Sequence, residues 1–174
     1  MAWIKSAGGP LICLETWLLP EWCGVEGTCQ SGNCVVSGPS DYDRACAVND
    51  YVGLADVGRH SALILGDMPL ATTIFNKTVN ELYVVRAFYM DPDTEIEQFA
   101  HWFDEGHFRA PLETLFFSVC SNRLSIFDSA YPGSDRDKDF LEFSLSPGTY
   151  AIKTARVDPN EQTSLVVHQF RLKT

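Results

Sequence analysis

The stretch FLEFSLSPGTYAIKTARVDPNEQTSLVVHQFRL, residues 140–172, decides the fold class. At its start Leu141, Phe143 and Leu145 alternate with polar residues, and this period of two predicts a strand with one buried face. The tripeptide Ser-Pro-Gly that follows favours a turn, because proline fixes one backbone angle and glycine tolerates unusual ones. Short antiparallel strands are therefore expected in this region.

Four more segments of the second half read as strands. Residues 82–89 and 112–119 are rich in β-branched and aromatic side chains, which favour strands. Residues 149–157 and 164–172 predict a final antiparallel pair, and the Asp-Pro-Asn-Glu sequence between them suits the connecting turn.

The other elements carry weaker signals. Ser121-Asn122 separates residues 112–119 from a further strand at 123–127, and two polar residues are enough to close a hairpin. The first half predicts strands at residues 10–14 and 61–65, a short helix at 41–48 and a Gly/Ser-rich loop at 24–40.

One helix is well marked. Asp91 can cap it, Pro92 suits the first helical position and Gly106 suits its end. Its apolar stripe has the α-helical spacing i, i+3, i+4 and i+7 and consists of Ile96, Phe99, Ala100 and Phe103. The sequence thus predicts one α+β domain over residues 1–174, a mostly antiparallel β-sheet with one main helix of about residues 92–104 packed on it.

The chain is strongly acidic. Its 174 residues include 13 Lys and Arg against 23 Asp and Glu, a net charge of −10. The basic residues are scattered singly, so nucleic acid is not an expected partner. A negative surface keeps a protein soluble and also speeds its encounter with a basic partner.

The start of the chain predicts its location. The first ten residues contain no apolar core of signal-peptide length, and no later run reaches the length of a membrane span. The protein is therefore expected to stay in the cytoplasm, with no membrane partner.

Four cysteines raise the alternative of a zinc or redox module. Cys23, Cys29, Cys34 and Cys46 are separated by five, four and eleven residues, which misses the tight pairs of most structural zinc sites. No metal or other cofactor is therefore predicted. Because the cytoplasm is reducing, a disulfide framework is not expected either.

An enzyme is the other alternative. The sequence has no phosphate-binding glycine loop, His-Glu-x-x-His pattern or Gly-x-Ser-x-Gly elbow. A small hydrolase or transferase would have to combine Asp43, Asp67 or Asp128 with a histidine from elsewhere in the chain. His168 shares a strand face with apolar residues, which favours a hydrogen-bonded or edge histidine over a catalytic one. We expect no catalytic residue.

Residues 133–139, Gly-Ser-Asp-Arg-Asp-Lys-Asp, place three carboxylates in one turn. Arg136 and Lys138 alternate with them and would oppose a bound cation, and the register of a calcium loop is missing. We expect a mobile, exposed turn between strands that could present acidic groups to a basic partner.

Several segments, in order along nearly the whole chain, resemble the Immunity protein 21 family of bacterial polymorphic toxin systems. They are Trp3-Ile4, Ser6–Leu11, Asp41–Cys46, Leu63–Leu70, Thr72-Thr73, Phe127–Ala130, Pro147–Tyr150 and Thr163–Leu165. The resemblance implies a small, mostly β protein that is encoded beside a toxin gene, binds the toxin inside the producing cell and blocks it.

This resemblance and the acidic charge together predict how the protein works. We expect tight, stoichiometric binding to a cognate toxin domain that is cationic, such as a nuclease with a basic substrate groove. The predicted partner-binding residues are Asp104 and Glu105 at the helix end, and Asp135, Asp137 and Asp139 in the late turn.

Overall fold

Two five-stranded antiparallel sheets pack face to face in this computed structural model. The structure describes residues 2–66, 71–78, 80–91, 94, 96–103, 106–135 and 137–173. The strands are β1 (Leu11–Glu15), β2 (Thr28–Gln30), β3 (Asn33–Val35), β4 (Val52–Val57), β5 (His60–Leu65), β6 (Ala71–Thr78), β7 (Glu81–Tyr89), β8 (Glu113–Val119), β9 (Arg123–Asp128), β10 (Phe140–Ser144), β11 (Gly148–Asn160) and β12 (Thr163–Leu172). The helices are the α-helix α1 (Asp41–Cys46) and the 3₁₀ helices η1 (Thr16–Glu21), η2 (Gly24–Glu26) and η3 (Ile96–Trp102).

The strand order gives each sheet two edges. Sheet I has the order β10-β9-β1-β5-β4, and sheet II has the order β6-β7-β12-β11-β8. Strands β2 and β3 form a separate hairpin. The predicted fold class, a mostly antiparallel β protein of the α+β type, is confirmed.

The centre of sheet I is covered on both faces. Leu11 and Cys13 of β1 lie in the central core between the two sheets. Ile12 and Leu14 lie in an outer core that also contains Leu18 of η1. Both faces of β1 are buried, and accordingly its first four residues, Leu11–Leu14, are a continuous apolar run without the alternation of β10.

The outer face of sheet II is covered by η3. Ile96, Phe99 and Phe103 are buried there, and the ring of Phe103 lies 5.3 Å from that of Tyr83 on β7. The predicted helix near residues 92–104 is thus present and packs on the sheet, but as a 3₁₀ helix over Ile96–Trp102. Phe103 follows the helix instead of closing its last turn.

The predicted hairpin at Ser121-Asn122 is wrong. Strand β8 belongs to sheet II and β9 to sheet I, so this dipeptide lies where the chain crosses from one sheet to the other. A carboxylate stabilises the crossing, because Glu15 accepts hydrogen bonds from the backbone N–H groups of Cys120 and Ser121. Glu113 makes a second such link, accepting the N–H groups of Tyr51 at 2.9 Å and Val52 at 3.0 Å.

Residues 24–40 are more ordered than the loop expected from the sequence. They contain η2 and the β2–β3 hairpin, in which Cys29 lies opposite Cys34. A disulfide joins Cys34 to the buried Cys23, which corrects the expectation that none would form. That expectation rested on the compartment alone, whereas the fold brings the Cα atoms of Cys23 and Cys34 to 5.7 Å, within the range of a disulfide.

Candidate functional site

Three of the segments that carry the family resemblance, residues 6–11, 41–46 and 127–130, meet at one end of sheet I. Asp128, where β9 ends, accepts the N–H of Ala7 at 2.7 Å and that of Ala130 at 2.9 Å. The next residue, Ser129, donates its hydroxyl to the carbonyl of Pro10 at 2.6 Å. Residues 127–130 therefore hold the glycine-rich loop that precedes β1.

Helix α1 closes against the same loop. A Cβ atom at Gly9 would lie 2.3 Å from the hydroxyl oxygen of Tyr42, so a larger residue there would have to displace the tyrosine ring. The helix starts with a capping box, in which Ser40 Oγ accepts from the N–H of Asp43 and Asp43 accepts from that of Ser40. The fully buried Asp41 accepts the N–H of Cys23 at 2.8 Å and pairs with Arg44.

These contacts bear on the enzyme alternative. Asp43 caps a helix and Asp128 binds two backbone N–H groups, so both carboxylates have a structural role. Asp67 lies outside the described residues. His168 is fully buried, and its Nδ1 atom is hydrogen bonded to Thr154 Oγ1 at 2.9 Å. Of the two non-catalytic interpretations, the hydrogen-bonded histidine is therefore correct and the edge histidine is wrong, because β12 is a central strand.

The environment of His168 suppresses its charge. Burial, and then the nearby Arg86, hold its pKa well below the ordinary value of 6.5. Its Nε2 atom has no hydrogen-bond partner among the described residues. A neutral imidazole inside the sheet is therefore part of the packing.

Two of the four clustered cysteines are consumed by the disulfide, so four thiolates are not assembled for zinc. Across the described residues, no group of three His, Cys, Asp or Glu side chains is placed to hold a metal ion. Nor is any helix in those residues long and apolar enough to cross a membrane.

The first half of the acidic loop between β9 and β10 is anchored to residues 19–25, from the end of η1 to the start of η2. The N–H of Gly133 donates to the carbonyl of Trp22 at 2.8 Å, and Val25 N–H donates to the carbonyl of Ala130 at 3.0 Å. Contact at Gly133 is so close that a Cβ atom there would lie 2.0 Å from the carbonyl oxygen of Leu19. The loop is therefore a docked segment as far as Gly133.

Lys138 stabilises the second half of the loop through hydrogen bonds within the loop. Its Nζ donates to the carbonyl of Gly133 at 2.7 Å and to that of Asp135, and it lies 4.9 Å from the ring centre of Phe127. Burial lowers the pKa of Lys138 below its ordinary value, partly offset by the charge of Asp135. The ammonium is thus held by carbonyl groups of its own loop.

The structure brings together three of the five predicted binding residues. Asp135 is half-buried, while Asp137 and Asp139 are exposed, all three in this loop. Asp135 Oδ1 accepts the N–H of Asp137 at 2.8 Å, which closes a tight turn. Asp104 and Glu105 lie outside the described residues.

A groove of about 410 Å³ lies between this loop, η1 and the outer face of sheet I. We call it the η1–β10 groove, and it is lined by Thr16, Leu19, Pro20, Ser125, Gly133, Ser134, Asp135, Lys138, Phe140 and Glu142. The strand register explains why the groove exists. Phe140 of edge strand β10 pairs with Phe127 of β9 and faces the same side of the sheet, but η1 does not extend over Phe140. Phe140 is consequently 48% exposed, whereas Phe127 is fully buried.

Comparison with known proteins decides the family. The model of the Immunity protein 21 family matches residues 2–163 of the 174-residue chain. The chain belongs to the Immunity protein 21 family. No curated protein and no solved structure matches it.

The family match ends where the last strand of this Immunity protein 21 member begins. Strand β12 spans Thr163–Leu172 and lies at the centre of sheet II, paired on one side with β7 and on the other with β11. The residues beyond the match are therefore needed to complete the sheet.

Sequence reasoning missed the η1–β10 groove. Leu19 and Pro20 gave no local signal, because their role depends on the packing of η1 over a distant strand. Phe140 did give one: it shares the outward face of β10 with Glu142 and Ser144, and an aromatic side chain at such a position is a candidate contact residue.

Proposed function

We propose that this member of the Immunity protein 21 family binds a cognate polymorphic toxin domain in the cytoplasm of the producing cell and neutralises it by stoichiometric occlusion. The single observation that carries the proposal is the family match over residues 2–163. The protein would act by covering a functional surface of the toxin, with no turnover.

Electrostatics supports a cationic toxin, such as a nuclease with a basic substrate groove. The net charge of −10 favours encounter with a basic surface. Asp137 and Asp139 are exposed and Asp135 is half-buried, in a loop whose Lys138 is hydrogen bonded to carbonyl groups of the loop itself. Asp104 and Glu105 remain proposed contacts on the sequence argument alone.

Anchored carboxylates support a binding protein over an enzyme. Asp43 and Asp128, two of the three acids in the hydrolase alternative, are engaged by backbone N–H groups. A catalytic carboxylate would need a proton-transfer partner in a pocket, whereas the partners of Asp43 and Asp128 among the described residues are backbone N–H groups and the Ser40 hydroxyl.

Co-expression tests the proposal. The toxic C-terminal domain encoded by the neighbouring reading frame is expressed with this chain, and we expect growth to be restored and the two proteins to purify as a complex. A protein that fails to restore growth although it is soluble and abundant would contradict the proposal.

Charge reversal tests the electrostatic part separately. The triple variant Asp135→Lys, Asp137→Lys and Asp139→Lys should weaken binding and flatten its dependence on salt, and so should Asp104→Lys with Glu105→Lys. The matched control is Asp56→Lys, an exposed acid on β4. Unchanged affinity and unchanged salt dependence in both variants would contradict a cationic partner surface.

A further inference from the structure

We infer that the η1–β10 groove is the anchor point for the toxin domain and that it receives an arginine side chain of that domain, stacked on Phe140 between the carboxylates of Asp135 and Glu142. This inference rests on the proposed function and names the contact chemistry of the partner.

Exposure of Phe140 is the first observation. The outer face of sheet I is buried where η1 covers it, yet the ring of Phe140 is left 48% exposed on the edge strand. Aromatic side chains are enriched in protein interfaces, where they often fill pockets of the partner surface. A partner that covers the groove would bury the part of Phe140 that η1 leaves exposed.

Polar groups in the groove set the chemistry of its occupant. Asp135 of the loop and Glu142 of β10 both line it, while its floor carries the hydroxyl groups of Thr16 and Ser125, 3.0 Å apart. Carboxylates and hydroxyl oxygens accept hydrogen bonds, and the exposed face of a phenyl ring attracts a cation. These groups together favour a cationic donor with an apolar stem.

Two basic residues lie at the groove in the part of the chain that the structure describes, and neither fills this role. Lys138 is held by carbonyl groups of its own loop. Arg123 contacts Glu142 at 3.1 Å, but its side chain is 64% exposed, and such an exposed pair contributes little and can be exchanged for a partner's cation. Glu142 is therefore available to a competing guanidinium.

Arginine fits this groove better than lysine does. Its planar guanidinium can stack on the ring of Phe140 while its N–H groups bind a carboxylate with two parallel hydrogen bonds. A volume of about 410 Å³ is within the range of sites that enclose a ligand group, and it leaves room for the whole side chain.

Affinity measurements with matched variants test the inference. The probe is the toxin domain of the neighbouring reading frame, made inactive by substitution. Phe140→Ala should weaken its binding about tenfold or more, since a central aromatic anchor is lost. Asp135→Asn and Glu142→Gln should weaken binding and reduce its salt dependence.

Phe116→Ala is the control, because Phe116 is a 52% exposed phenylalanine on β8, an edge strand of the other sheet. We expect it to change affinity less than about threefold. Thermal unfolding of each variant shows whether the fold is intact. If the wild-type protein binds the toxin domain and the Phe140→Ala variant binds it equally well, the inference is overturned and the proposed function still stands.

A double-mutant cycle identifies the partner residue. Each surface arginine of the toxin domain is changed to lysine and measured against wild-type protein and Phe140→Ala. One arginine should lose affinity with the wild-type protein and show no further loss with Phe140→Ala. If no arginine couples to Phe140 the assignment is wrong, and if the wild-type protein does not bind the domain at all the proposed function fails with it.

Discussion

Glu15 Oε1 accepts a hydrogen bond from the backbone N–H of Cys120 at 3.1 Å, which ties the end of a strand in sheet I to the point where the chain leaves sheet II. Ser121 N–H and the indole N–H of Trp17 bind the same carboxylate. Burial disfavours its charge, but the hydrogen bonds from Ser121, Cys120 and Trp17 prevail and lower the pKa of Glu15 below its ordinary value. One side chain thus joins the two sheets.

Glu15→Gln should destabilise the protein by roughly 1–3 kcal/mol, because the amide has one acceptor oxygen where the carboxylate has two and would oppose one backbone N–H group. Urea unfolding at neutral pH measures the change. Glu161→Gln is the control, since Glu161 is exposed in the turn between β11 and β12. Equal stability of the two variants would mean that Glu15 does not join the sheets.

The stability of the protein should fall as the pH drops below about 6.5 because of His168. Its folded-state pKa lies well below 6.5, so between the two pKa values the unfolded chain binds a proton that the folded chain does not. The loss is up to about 1.4 kcal/mol per pH unit in that window. Urea unfolding between pH 7.5 and pH 5.5 measures the slope.

His168→Gln should flatten that slope, and His60→Gln is the control for loss of one imidazole. In the wild-type protein, nuclear magnetic resonance should show the His168 ring neutral at pH 6. A His168 signal that titrates near 6.5 would contradict the buried, uncharged imidazole.

Reduction should destabilise the protein by about 2–3 kcal/mol, since the disulfide between Cys23 and Cys34 closes a short loop in the unfolded chain. Thermal unfolding with and without dithiothreitol measures this. The double variant Cys23→Ser, Cys34→Ser should be insensitive to the reductant, whereas Cys29→Ser, which removes a free thiol, should respond as the wild-type protein does. A response retained by the double variant would contradict this disulfide.

Gly133→Ala should both destabilise the protein, by about 1–3 kcal/mol, and weaken toxin binding. The added Cβ atom would lie 2.0 Å from the backbone of Leu19, so the acidic loop would have to move off η1. Ser37→Ala is the control, because Ser37 is exposed and lies outside the η1–β10 groove. Calorimetry gives both quantities, and unaltered binding by Gly133→Ala would show that the docked loop does not contribute.

Local sequence patterns predicted the elements whose structure depends on neighbouring residues. Alternation in β10 gave the buried set Leu141, Phe143 and Leu145, and Ser40 with Asp43 forms the capping box of the short helix that was predicted. Strand β4 was missed because Gly53 and Asp56 interrupt its apolar residues. Sheet membership was not predictable, since the same short polar link can close a hairpin or cross between sheets.

The candidate site likewise has one part that the sequence could predict and one part that it could not. Asp135, Asp137 and Asp139 are neighbours in sequence, so their clustering could be predicted. The η1–β10 groove could not, because it exists where residues 16–20 stop short of a strand more than a hundred residues later. Tertiary packing alone decides how much of Phe140 stays exposed.

The most direct test of neutralisation by binding is a titration of the purified protein into active toxin domain held at a fixed concentration well above the dissociation constant. We predict that toxin activity falls in a straight line and reaches zero at one protein per toxin, with the toxin recovered chemically unchanged from the complex. Inactivation by a small fraction of an equivalent, or activity that persists in excess protein, would contradict the account.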